Sequence, residues 1–382
     1  MTAVGEPTAT SLVDAACADT GLDDFGPESF VDALDVLVES MKHEARLTLD
    51  GMREQLEQST RSLVTHLKMQ DYLARFPEIL DEPIVAPVVI VGPQRTGTSK
   101  LFRLVAADPQ WNVLMTWQAL NLVPFGGARP DGRDPRIDFA EDWVKEMSWL
   151  QPAHTLDARA PEMEALLLSD TFMLNAPTRI VPTHQKWLED ADYTAFYRHL
   201  RKMLQFLQWQ VHAQPGRRWI LKSPPHLPNL RALVSVFPDA TLVMTHRHPK
   251  TNVGSMLKLV ELAQTRFAEV VDRDAIRDAW LRILNLNIER FLEFRDEGHE
   301  DDFVDIAYPE VTKDPLTAVE RIYTAAGAEF TDETVRVVEA WDAEHPQGEG
   351  GVFEYDLADY GLTDADIERE FAEYVTRFGD RF

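Results

Sequence analysis

The sequence predicts an α/β fold of three layers, with a central, mainly parallel sheet between helices and a helical segment ahead of it. Three observations predict it. Pro87-Val88-Val89-Ile90-Val91 is an apolar, β-branched run of the kind buried on both faces of a sheet, and a glycine turn leads it into Leu101, Leu104 and Val105 at helical spacing. Three further strand signals, at 219–221, 240–245 and 303–307, are each followed by a helical pattern. Strands alternating with helices build βαβ units and a parallel sheet. Residues 27–80, finally, carry apolar side chains at helical spacing.

Taken in order, residues 1–26 are rich in Ala, Thr, Gly and Asp without period, and are expected to fray. From Pro27, the residues Phe30, Leu34, Leu37, Val38 and Met41 share one helical face, and a second helical stretch covers about 45–67. Residues 27–82 thus form a helical lead-in packed on the domain behind it, which occupies 83–382. Pro77, Pro83 and Pro87 mark the passage into the first strand. Asp108-Pro109 ends the next helix, and 112–117 reads as another strand. Residues 122–136, rich in proline and glycine, read as a loop or lid. A helix is expected from Pro161, with Glu162 and Glu164 in its first turn, and a longer one over 192–212. Beyond the last strand come a glycine loop at 348–351 and a closing helix over 364–378.

Composition sets limits on function. With 382 residues, 45% hydrophobic and 27% charged, the chain is an ordinary globular protein. A formal net charge of -26 excludes a general binder of nucleic acid or anionic membranes. Basic residues gathered at one place in such a chain make a local pocket for a small anion. Cys17 is the only cysteine, so neither disulfides nor a cysteine-rich metal site is expected. The first thirty residues show no signal peptide, and no apolar run approaches the ~20 residues that span a bilayer. A cytoplasmic protein is the expectation, its oligomeric state open, a homodimer included.

Gly92-Pro93-Gln94-Arg95-Thr96-Gly97-Thr98-Ser99 joins the first strand to its helix. A nucleotide P-loop needs Gly, four residues, Gly, Lys, then Ser or Thr. Gly92, Gly97 and Ser99 fit; Thr98 stands where the lysine belongs, and Arg95 brings a cation into the turn instead. The fold is P-loop-like and the loop a phosphate-type cradle, unlike that of an ATPase. A plain strand-to-helix turn has little need of Gly, Arg, Gly and two hydroxyls together.

In open parallel sheets, ligands bind at the carboxyl ends of strands. Those ends here carry the cradle, then Lys222-Ser223-Pro224-Pro225-His226, then His246-Arg247-His248-Pro249 with Ser255 eight residues after Arg247, then Tyr308 ahead of Asp314-Pro315. Cations, hydroxyls and an aromatic at four strand ends suit a nucleotide with several anionic groups.

With these residues the chain resembles sulfotransferases that use 3′-phosphoadenosine 5′-phosphosulfate, in the bacterial branch with a helical N-terminal segment, over roughly 27–380. The resemblance implies a 5′-phosphosulfate loop at Gly92 to Leu101, with Gly92, Arg95, Thr96, Gly97, Thr98, Ser99 and Lys100 at the nucleotide. It implies a 3′-phosphate site at Arg247 and Ser255, and Tyr308 beside the adenine. Many relatives have Lys where Arg95 stands, an aromatic where Lys100 stands, and Arg-Asp-Pro where this chain has Arg247-His248-Pro249. Their C-terminal glycine loop carries a cation, where this chain has Glu349. Adenosine 3′,5′-bisphosphate would be the nucleotide product and a small molecule, lipid or sugar the acceptor.

Sulfuryl transfer needs an acceptor that loses a proton, held equatorial oxygens, and a stabilised leaving oxygen. Arg95 and the loop amides suit the second need and Lys222 the third, and no metal is expected. Two candidates remain for the base. His226 resembles the histidine of a Lys-Thr-His-Leu-Pro segment, and an imidazole titrates near neutrality; a histidine that only packs at a helix start is the plainer account. Glu164 is the rival, against a first-turn acid that only favours the helix dipole. Glu162 reads as such an acid, His154 as a loop histidine, and His246 and His248 as structural. Trp143, Trp149, Trp187, Trp209 and Phe206 read as core or pocket wall. A P-loop kinase or nucleotide hydrolase, and a nucleotide binder without catalysis, are the alternative functions.

Overall fold

The structure, a computed structural model, describes residues 6–28, 30–126, 132–151, 153–211, 216–346 and 354–382. Among these, five strands form one parallel sheet: β1 (Val88–Ile90), β2 (Trp111–Asn112), β3 (Arg218–Lys222), β4 (Thr241–His246) and β5 (Phe303–Ala307), in the order β2-β3-β1-β4-β5. β1 lies at the centre, with Val88 opposite Ile220 of β3 and Thr241 of β4. Its apolar run alternates between two cores, as the two-residue side-chain period of a strand requires. Val88 and Ile90 join Ile220, Val243, Ile306 and Ile322 in one cluster. Val89 and Val91 join Leu221, Met244 and residues of the lead-in, such as Leu34 and Leu67, in the other. The sheet is covered on both sides.

The helices ahead of β1 are α1 (Ala9–Thr20), α2 (Val31–His43) and α3 (Leu49–Arg75), and α4 (Thr98–Ala106) follows it. α1 corrects the expectation of a fraying terminus. Thr8 and Ser11 form a capping box at its start, Gly21 closes it in the left-handed conformation, and Ala9, Leu12 and Ala16 are buried in the cluster that holds Leu63 and Leu67. Tertiary burial of a few small side chains decides what composition alone does not.

Three other expectations also change. The strand expected over 112–117 shrinks to Trp111–Asn112, because Thr116–Leu120 turns helical. No helix starts at Pro161. That stretch is extended: Pro161 forms an isolated bridge with Met115 and the Glu162 N–H donates to the Leu114 carbonyl at 2.9 Å. The first helical turn there is Leu167–Thr171. The closing helix breaks at Phe371 into Asp364–Glu370 and Ala372–Phe378. The expected helix over 192–212 is present as Thr194–Gln210. The glycine loop at 348–351, and part of the proline- and glycine-rich segment at 122–136, lie outside the described residues. No helix among the described residues is long and apolar enough to cross a membrane.

Candidate active site

The loop between β1 and α4 is built by close approach. A side chain at Gly92 would place its Cβ 1.9 Å from Oγ1 of Thr245 on β4. That Thr245 hydroxyl lies 2.6 Å from the Thr96 hydroxyl, which also donates to the Pro93 carbonyl at 2.6 Å. Arg95 and Gly97 both adopt left-handed backbone, at φ 68° and 89°. No side chain caps α4, so the N–H groups of its first turn face the end of the sheet without an internal partner. Together with the helix dipole they make an anion site.

Cations gather beside it. Arg95 donates from Nε to Ser255 Oγ at 2.9 Å and from Nη1 to the Ala153 carbonyl at 2.7 Å. Arg247 donates from Nη1 to the Arg95 carbonyl at 2.9 Å and lies 4.0 Å over the Tyr308 ring. A Cβ on Gly97 would sit 3.0 Å from that same ring. Burial, and then the charge of Arg247, pull the Arg95 pKa down. Two guanidinium groups in one corner repel each other, and a bound anion relieves that repulsion. Lys100 turns instead to Asp342 on the helix Asp332–Glu344, at 2.6 Å.

β3 ends on Lys222, which is 2% exposed. Its Nζ is 3.4 Å from Ser99 Oγ, 4.0 Å from Glu162 Oε1 and 5.7 Å over the Phe102 ring. Burial lowers its pKa, against the opposing pull of Glu162 and Glu164. Two carboxylate–imidazole pairs flank it. Glu164 Oε1 is 2.5 Å from His226 Nε2, and Glu164 Oε2 accepts the Lys222 backbone N–H at 3.0 Å. Nδ1 of His226 meets the Tyr197 hydroxyl at 3.1 Å. Glu162 Oε2 is 2.9 Å from His154 Nε2, and Glu162 Oε1 accepts the Met163 N–H at 2.8 Å. Burial raises the Glu162 pKa, but His154, Lys222 and that N–H outweigh it and hold the group at about 2.

The two residues weighed as rival bases are therefore partners in one hydrogen bond. Ser255 binds Arg95, with Arg247 on the other side of the same residue. His246 is a structural link between Asp305 at 2.7 Å and Tyr374 at 2.9 Å, and His248 accepts from Lys250 N–H at the start of the helix Pro249–Phe267. Trp143 and Trp149 line, with Phe125, Phe139 and Leu166, a cleft of about 2170 Å³ beside α3. Sequence reasoning missed Tyr197, which meets His226, and Arg103, whose Nη2 lies 3.8 Å from Glu162 Oε2. Arg103 follows Ser99 by four residues on α4, hence on the same face, and that spacing was the available signal; nothing local pointed to Tyr197.

Among the described residues one group of three could hold a metal ion: His66, Asp170 and His199, all buried. The two imidazoles stack at 4.8 Å with an 11° angle between planes. Rings that are nearly parallel do not aim in-plane lone pairs at one ion. The group ties α3 of the lead-in to the helix Thr194–Gln210.

A P-loop-like parallel sheet with an uncapped helix start, clustered guanidiniums and a buried lysine makes an anion-binding site at the carboxyl end of the sheet. The chain belongs to the sulfotransferase family, whose profile matches residues 87–332. It is similar to the crystal structure of sulfotransferase STF9 from Mycobacterium avium, at 28% identity and a TM-score of 0.86, over 99% of this chain and 98% of that one. It is similar also to sulfotransferase STF1 from Mycobacterium tuberculosis H37Rv, at 28% identity and a TM-score of 0.84, over 96% and 99% of the two chains. No curated protein sequence matches significantly.

Proposed function

We propose that this sulfotransferase moves a sulfuryl group from 3′-phosphoadenosine 5′-phosphosulfate to a hydroxyl or amine of a small-molecule, lipid or sugar acceptor. The observation that carries the reading is the uncapped start of α4 beside the Arg95–Arg247 corner, with Lys222 reaching Ser99 from the neighbouring strand. The residues fit an anionic nucleotide: the cleared space at Gly92, the free first-turn amides, and two guanidiniums that a ligand would relieve. In this reading Gly92, Arg95, Thr96, Gly97, Thr98 and Ser99 hold the phosphosulfate, and Arg247 and Ser255 the 3′-phosphate. Tyr308 borders the adenine. In this reading Lys100, paired with Asp342, takes no part in holding the donor. The donor supplies an activated sulfur with a phosphate leaving group. Lys222 meets the charge that grows on the leaving oxygen, which is an interaction stronger in the transition state than before it. Glu164, bonded to the Lys222 backbone and braced by His226 and Tyr197, fixes where that lysine stands.

Calorimetry tests this. Adenosine 3′,5′-bisphosphate is expected to bind without added metal, and ATP with magnesium much more weakly. Tighter binding of magnesium-ATP with turnover would replace this reading by a P-loop kinase or hydrolase.

A further inference from the structure

The two carboxylate–imidazole pairs beside Lys222 differ in what they leave free. Glu164 and His226 have side chains 1% and 0% exposed, and both nitrogens of His226 are engaged. The side chain of His154 is 16% exposed, and among the described residues it bonds through Nε2 alone, to Glu162. Its neighbours are gripped by the cradle's own cations. Arg95 Nη1 donates to the Ala153 carbonyl at 2.7 Å, and Arg103 Nη2 to the Thr155 carbonyl at 2.9 Å. An ionised Glu162 can only accept, so Nε2 of a neutral His154 carries the proton and Nδ1 carries the lone pair.

We propose that His154 is the general base toward the acceptor, with Glu162 as the residue that positions it, on the footing of the sulfuryl-transfer reading above. The acceptor proton passes to Nδ1 as the acceptor oxygen bonds to sulfur. The bond from sulfur to the bridging phosphate oxygen breaks, and its electron pair stays on the phosphate beside Lys222. The charged groups facing this pair are Arg103 and Lys222, at 3.8 and 4.0 Å from Glu162, and Arg95 at the Ala153 carbonyl.

Water serves as the acceptor in the test, so no natural acceptor is needed. Sulfate release from saturating 3′-phosphoadenosine 5′-phosphosulfate by the full chain is followed from about pH 5.5 to 9, across the titration range of an imidazole. Binding of adenosine 3′,5′-bisphosphate is measured in parallel. His154→Gln and His154→Ala should lower kcat on the order of 10²–10⁴-fold and lose the acidic limb, with bisphosphate affinity kept within a few-fold. Added imidazole should restore part of the rate of His154→Ala. Glu162→Gln should displace the acidic limb, and His226→Gln should keep that limb whatever its rate. Wild-type kcat and limb in both His154 variants, or a limb lost in His226→Gln instead, overturns the assignment alone. A wild-type chain that binds no bisphosphate overturns the sulfuryl-transfer reading itself, and binding without any sulfate release counts against both.

Discussion

Ser255 accepts its hydrogen bond from Nε of Arg95, at 2.9 Å, which ties the helix Pro249–Phe267 to the loop after β1. Arg247 closes the other side by donating to the Arg95 carbonyl. The residues named for two different phosphates thus meet on one arginine.

Arg247→Ala removes one charge-assisted contact and one of two repelling guanidiniums. Adenosine 3′,5′-bisphosphate should bind more weakly by about 1.5–3 kcal/mol in calorimetry, and selectivity over adenosine 5′-phosphosulfate should shrink. Unchanged selectivity would place the 3′-phosphate elsewhere.

Lys222→Ala should lower the transfer rate and leave bisphosphate affinity within a few-fold, because its charge matters most when the leaving oxygen becomes anionic. Since burial lowers the Lys222 pKa from the usual 10.5, activity should begin to fall on the alkaline side below that value. A rate profile flat through that range would show that its charge is not needed.

Glu162 offers a test through stability. Its pKa, about 2 in the fold against an ordinary 4.5, means that the folded state favours the ionised form. The stabilisation is present above pH 4.5 and is lost as pH falls from there toward 2. Urea unfolding at neutral pH should show Glu162→Gln weaker by up to about 3 kcal/mol. The gap to the wild-type chain should narrow at acid pH, and a gap constant with pH would refute the shift.

Gly92→Ala should destabilise the protein toward the upper end of about 1–3 kcal/mol, the usual cost of overpacking. The new Cβ would meet the Thr245 hydroxyl at 1.9 Å. Thr245→Ala in the same chain removes that oxygen and should recover part of the loss. Thermal unfolding of the two variants decides it; no recovery would mean that the strain lies in the backbone.

What was legible in the sequence was local. β-branched runs, a glycine turn and the residues after each strand are written within short windows, so β1, β3, β4, β5 and the cradle could be placed. The pairing of Glu164 with His226 joins positions 62 residues apart, and that of Glu164 with Lys222 spans 58. No spacing rule reaches so far. Pro161, Glu162 and Glu164 look like a helix start, but the Leu114 carbonyl takes the Glu162 N–H and draws the chain out straight. Thr8 and Ser11 did carry a cap signal for α1, but its buried face rests on Ala9, Leu12 and Ala16, mostly small side chains that mark no strong helical stripe.

The place of β1 at the centre of the sheet has a consequence for how the chain is made. Val88 pairs with Ile220 and Thr241. The ribosome reaches these partners roughly 7–30 s later, at ~5–20 residues per second. Through that interval both edges of the strand have no partner. Val89 and Val91 already have the lead-in to lie on, since Leu34 and Leu67 precede them. Val88 and Ile90 gain Leu101, Phe102 and Leu104 of α4 soon after, and Ile220, Val243, Ile306 and Ile322 only later. The nascent chain therefore carries a central strand whose faces have neighbours from nearby helices while both of its edges stay open until β3 and β4 have been made.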